Sequence, residues 1–140
     1  MIMRDLEYPV VLLHAIDQPS LVKYGEVYRR ISQVCSNLRL RCFLPLDSGV
    51  TGNNLESLMR RVLIRSRLLI AFVRSPPTLE CAIGVAEAEH SGLPYVVVGE
   101  GAEDLPAEGF SRLPVAAINS SDLGYMEERL VSVLNRIFTR

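Results

Sequence analysis

A chain of 140 residues is the length of one domain, here 1–140, and can bury roughly 68–70% of its extended surface without disulfides or a metal to staple it. With 49% apolar residues it falls outside the disordered classes, and a net charge of −1 argues against nucleic-acid polymers and polybasic membrane contacts as partners. Its apolar runs fall far short of the roughly 18–20 residues that span a bilayer. The opening MIMRDLEYP carries acids and no signal-peptide core. Cys35, Cys42 and Cys81 are odd in number and scattered, the pattern of reduced, cytoplasmic protein.

In chain order, 9–15 (PVVLLHA) predicts a buried strand, ended by Asp17-Gln18-Pro19-Ser20. A helix over about 21–38 follows, with Tyr24, Val27, Tyr28, Ile31, Val34, Cys35 and Leu38 on one stripe and Lys23, Arg29, Arg30 and Gln33 opposite. Leu40 to Leu44 is the second strand, stopped by Pro45. The turn-rich loop 46–54 leads through Asn53-Asn54-Leu55-Glu56, a capping-box pattern, into a helix to about 65. Leu55, Leu58, Met59 and Val62 form its apolar face.

The stretch 67–100 is a strand (67–73), a helix (about 77–91) and a strand (95–99), a βαβ unit whose strands must run parallel. Pro76 and Pro77 suit a helix start, where the first N–H groups lack intrahelical partners. After a polar loop, Pro114 to Ile118 predicts a fifth strand. Ser121-Asp122 caps a last helix to about Phe138, with Leu123, Met126, Leu130, Val133, Leu134 and Ile137 on one side.

Strict alternation of strand and helix predicts a small doubly wound α/β fold, flavodoxin- or Rossmann-like. Its five-stranded parallel sheet is expected in order 2-1-3-4-5, with helices on both faces. The carboxyl edge near strands one and three would then gather His14, Asp17, Asp47 to Asn54, Arg74 to Glu80, and Asn119.

Neither G-x-G-x-x-G after a strand nor a P-loop is present, so both common phosphate cradles are absent. A phosphoacceptor receiver would need Asp at the end of strand three and Lys at the end of strand five, where this chain has Arg74 and Asn119. Two histidines and dispersed cysteines make no zinc site, and no cofactor is implied. What remains is Glu80 in a first helical turn, beside Ser75, Thr78 and Arg74, with Asp17 or Asp47 across the crevice. A carboxylate so placed can attack an anomeric carbon and form a glycosyl intermediate that water or a second acceptor resolves. Arg74 and the helix N-terminus suit a phosphate or carboxylate.

The first strand with its polar turn, the tyrosine-bearing first helix, Pro45 after the second strand, and S-R-L-L-I-A-F-V-R-S-P-P-T-x-E…A-E-A-x-x-x-G-L-P-Y-V-V-V together resemble the nucleoside 2-deoxyribosyltransferase-like proteins over about residues 9–100. The resemblance implies a homodimer or larger assembly that cleaves or exchanges the N-glycosidic bond of a nucleoside or nucleotide. It implies Glu80 as nucleophile, Ser75 and Thr78 as the substrate-positioning turn, and Tyr24 or Tyr28 at the pocket wall.

The chain departs from the family's pattern at Ser66-Arg67 (usually Ser-Asp), at Pro76-Pro77 (usually glycine), and in placing Glu80 one helical turn earlier relative to Gly92. Those departures fit a second reading, a catalytically silent nucleotide-sensing or protein-interaction domain. NAD hydrolysis of the Toll/interleukin-receptor-like kind is a third.

Overall fold

The computed structural model describes residues 10–14 (backbone only), 25–43, 54, 57, 61, 65–72, 90, 92–100, 102 and 114–138. It is an α/β protein built on a parallel sheet, as the alternation implied. The strands are β1 (Val10–His14), β2 (Arg41–Phe43), β3 (Leu68–Phe72), β4 (Tyr95–Gly99) and β5 (Ala116–Asn119), with helices α1 (Gly25–Asn37) and α2 (Leu123–Phe138). Every pairing between adjacent strands is parallel, and the order across the sheet is β2-β1-β3-β4-β5.

The central strands are apolar along their whole length because both of their faces are covered. In β3, Leu68, Ile70 and Phe72 share one face and Leu69 and Ala71 the other, and all five are fully buried. Phe72 meets Tyr28 of α1 edge-on, ring centroids 5.2 Å apart, which identifies its face as the one beneath α1. From α1 the core takes Val27, Tyr28, Ile31, Val34 and Cys35, and from α2 it takes Met126, Leu130, Val133 and Leu134. These are the apolar stripes expected from the spacing, with Leu38, Leu123 and Ile137 at their margins.

The two helices also pack on each other. Arg30 links them, its guanidinium 2.9 Å from Glu26 on its own helix and 3.3 Å from Glu127 on α2. Glu26 pairs with Arg29 as well. Hydrogen bonds from Arg29 and then Arg30 hold the Glu26 carboxyl below its ordinary value of 4.5. Whatever this cluster adds to stability is fully present above that unfolded-state value and is lost as pH falls through the lower folded one. A carboxyl-resolved NMR titration should show Glu26 titrating below the reference carboxylates, and Arg29→Ala should move it back up. An unshifted Glu26 would remove the pairing.

At the far end of α1 the chain turns through a Schellman motif. Leu40 N–H donates to Cys35 C=O at 2.8 Å, Arg39 N–H donates to Ser36 C=O at 3.0 Å, and Arg39 sits at φ 62°. The first of these bonds is why β2 begins at Arg41, one residue later than the apolar run suggested. An L-residue in this left-handed conformation costs about 1 kcal/mol that glycine avoids. Arg39→Gly should therefore raise stability by roughly 0.5–1 kcal/mol, after the extra freedom of glycine in the unfolded chain, seen as a higher urea midpoint. An unchanged or lower midpoint would contradict the assigned turn. Gly92, at φ 77°, supplies the same geometry before β4 without strain.

The start of α2 is capped by Asp122, whose Oδ1 accepts the Tyr125 N–H at 3.1 Å. Strand β5 is displaced from the expected 114–118. Val115 is 44% exposed and its N–H donates to Tyr95 C=O, whereas Asn119 pairs with Gly99. Of the two middle helices expected from sequence, Asn54, Ser57, Arg61 and His90 are helical and exposed, and the remainder lies outside the described residues. Among the described residues no helix is long and apolar enough to cross a membrane.

Candidate functional site

The carboxyl edge of the sheet is set by the strand register. His14 pairs with Ala71, Ala71 with Val97, and Val97 with Ala117, so the four form one row across the sheet. The connection leaving β1 leads to β2 on one side, and that leaving β3 leads to β4 on the other. Connections that part in this way leave a crevice above the strand ends, the usual ligand position in an open parallel sheet.

Of the residues expected there, the structure places three: His14, Asn119 and Asn54, the last helical and exposed. The backbone of His14 closes β1, and Asn119 closes β5. Three strand spacings of about 4.8 Å separate β1 from β5, so the two backbones are about 14 Å apart across the sheet. Asn119 also stands two residues beyond the His14 row. The backbones of His14 and Asn119 therefore bracket the strand ends.

Asn119 has a local task as well. Its Oδ1 accepts the Ser121 N–H at 2.8 Å while Ser120 N–H donates to Gly99 C=O at 3.2 Å. This Asx-type turn swings the chain from β5 into the capped start of α2. Glu80, Asp17, Tyr24, Asp47, Arg74, Ser75 and Thr78 lie outside the described residues. Tyr28, the alternative to Tyr24 at the pocket wall, is 2% exposed and packs against Phe72, so it belongs to the core.

One pairing was not anticipated from the sequence. Cys35 of α1 and Cys42 of β2, read there as scattered thiols, are hydrogen-bonded to each other, and Ser32 also hydrogen-bonds Cys42. Donation to Cys42, together with burial, pushes the Cys35 thiol far up. The same bond, aided by Ser32, holds the Cys42 thiol below its ordinary value despite burial. The signal was present: Ser32 and Cys35 are one turn apart on α1, and Cys42 follows two residues after the turn that reverses the chain. Among the described residues no three of His, Cys, Asp and Glu gather as a metal site would require.

No protein-family model matches the sequence, and no curated protein matches it. Solved structures do match in fold. A conserved protein from Enterococcus faecalis V583 superposes with a TM-score of 0.62 at 15% identity, over 92% of this chain and 99% of that one. A 2-deoxyribosyltransferase from Leishmania mexicana superposes with a TM-score of 0.57 at 14% identity, over 87% of this chain and 97% of that one. The chain thus shares its α/β fold with both, across nearly their full length.

Proposed function

We propose that the chain binds a nucleoside or nucleotide above the ends of β1 and β3 and cleaves or transfers its N-glycosidic bond with Glu80 as nucleophile. The observation that carries the reading is the fold-wide likeness to the Leishmania 2-deoxyribosyltransferase, joined to a carboxylate eight residues past Phe72, the last residue of β3. In this reading the sheet is the doubly wound five-stranded form, with 54–65 and 77–91 as helices on the face away from α1 and α2.

The Glu80 carboxylate attacks the anomeric carbon as the base departs with the bonding electron pair and takes a proton from Asp17 or Asp47. Water, or the nitrogen of a second base, then attacks the glycosyl–Glu80 ester and frees the carboxylate. Arg74, Ser75 and Thr78 hold the sugar or its phosphate, and His14, Tyr24 and Asn119 line the base side. No cofactor or metal enters the cycle, and the assembly is a cytoplasmic homodimer or larger.

The test incubates the protein with a panel of nucleosides, nucleotides and NAD and follows free base by chromatography. Absence of release from every member would overturn the reading, and release from NAD alone would turn it toward the NAD-hydrolase class. Pro76-Pro77 and the early glutamate favour one other outcome, a silent nucleotide sensor. Its mark is a nucleotide-dependent rise in Tm without turnover.

A further inference from the structure

Charge is divided along the strand direction. At the amino edge of the sheet stand Arg39, in the turn that leaves α1, Arg41, the first residue of β2, and Arg65 and Arg67, which lead into β3. Arg136, in the last turn of α2, joins them: the ring of Phe138, two residues on, lies 5.9 Å from the Arg67 guanidinium, which brings that helix end to the start of β3. All five arginines are exposed. The register sets their spacing. Arg41 pairs with Val10, and Arg67, one residue before the partner of Val11, is level with it. The two therefore flank the start of β1, two strand spacings or about 9.6 Å apart along the backbone row.

Among the described residues every carboxylate lies elsewhere. Glu26, in the first turn of α1, holds Arg29 and Arg30, and Arg30 holds Glu127. Glu100 follows the last residue of β4, Asp122 caps α2 just after β5, and Glu128 is in the second turn of that helix. All three are exposed. Gly99 and Asn119 are register partners, so Glu100 and Asp122 share one corner, at the carboxyl ends of β4 and β5. The sheet thus carries a basic corner over the starts of β2, β1 and β3 and an acidic corner diagonally opposite.

We propose that the basic corner docks on the acidic corner of a second copy of this chain. A polyanion would be drawn to the arginines but repelled by the rest of a chain whose net charge is −1. A second copy offers the opposite sign at the matching place, and offers it wherever the first copy is present. The corners face opposite ways along the strands, so one neighbour cannot cover both. The contact is therefore heterologous and passes head to tail, into a ring or an open chain. It rests on charge alone and is independent of the glycosidic chemistry proposed above.

The experiment is sedimentation velocity of the full chain over a range of protein concentrations, at about 0.01 M and about 1 M salt, between which the screening length falls from roughly 30 to 3 Å. In low salt the sedimentation coefficient should keep rising with concentration, and in high salt it should settle on one value. Arg65→Glu with Arg136→Glu makes both corners acidic, and Glu100→Lys with Glu128→Lys makes both basic. Each of these proteins alone should need at least roughly tenfold more protein to associate, and an equal mixture should associate again. Growth that survives 1 M salt or ignores both reversals would overturn the proposal, as would no growth in low salt or a mixture that stays apart. Binding of a labelled single-stranded oligonucleotide, or of phosphatidylserine vesicles, by an unchanged chain that does not self-associate would overturn it too, giving the basic corner to that partner instead. Should a reversed protein fail to fold, the salt and concentration series of the unchanged chain decides alone.

Discussion

Phe72→Ala is expected to remove about 3–5 kcal/mol of folding stability, a large share of the roughly 5–15 kcal/mol that holds a domain of this kind together. Phe72 is fully buried at the carboxyl end of β3, and its ring is met edge-on by Tyr28 at 5.2 Å. Truncation loses the transfer energy of the ring and leaves a cavity between the sheet and α1. Tyr28, on the wall of that cavity, is itself buried and held by packing, and can close only part of it.

The double change Tyr28→Leu with Phe72→Leu should be less costly than the sum of the singles by about 0.5–1.5 kcal/mol, the coupling expected of a T-shaped pair. Urea unfolding of the four proteins measures both quantities. A loss below about 1 kcal/mol for Phe72→Ala would mean that the ring is not enclosed as described. Because the change sits at the last residue of β3, it should also blur the crevice above it, so activity measurements belong at temperatures well below the mutant's midpoint.

Glu80→Ala should lower base release by at least about 10³-fold, near 4 kcal/mol of transition-state stabilisation, while leaving the unfolding midpoint almost unchanged. A nucleophile is needed in the transition state and contributes little to holding the ground-state sugar. The loss should therefore fall on kcat and leave KM within a few-fold. Glu80→Gln keeps the shape and removes the charge, and should fall nearly as far. Mass spectrometry of wild type quenched during turnover should show a glycosyl adduct on the peptide containing Glu80. Equal activity in Glu80→Ala would move the nucleophile elsewhere. The acid is separated by the same method: whichever of Asp17→Asn and Asp47→Asn loses more with a poor leaving base, and less with a good one, is the proton donor.

The strand–helix alternation was legible because apolar period is a local property. Val96, Val97 and Val98 read as a buried strand from their own run, and they are fully buried in β4. The stripes of α1 and α2 were equally plain, since residues three and four apart must share a face. Ends were less plain where they depend on hydrogen bonds to distant or turned backbone. Leu40 looks like strand yet closes the helix turn to Cys35, and Val115 looks like strand yet donates to Tyr95 and stays exposed. Asn119 shows the same limit on the site side. Its place at a strand end was readable, but its hydrogen bond to Ser121 comes from the turn that follows. The Cys35–Cys42 pairing was half-legible: the helical spacing of Ser32 and Cys35 could be read, but the reversal before Cys42 depends on Arg39 at positive φ, which the sequence does not announce.

The seam between α1 and α2 has a consequence for how the protein is made. Their partnership, fastened by Arg30 to Glu127, joins stretches that leave the ribosome far apart in time. At about 5–20 residues per second, roughly 4–17 s pass between the emergence of Asn37 and that of Leu123. Throughout that interval α1 lacks the helix that packs against it. A nascent chain paused in this window exposes the apolar surface that chaperones capture, so the synthesis rate between the codons for Asn37 and Leu123 should affect yield, as the stability of the finished fold does.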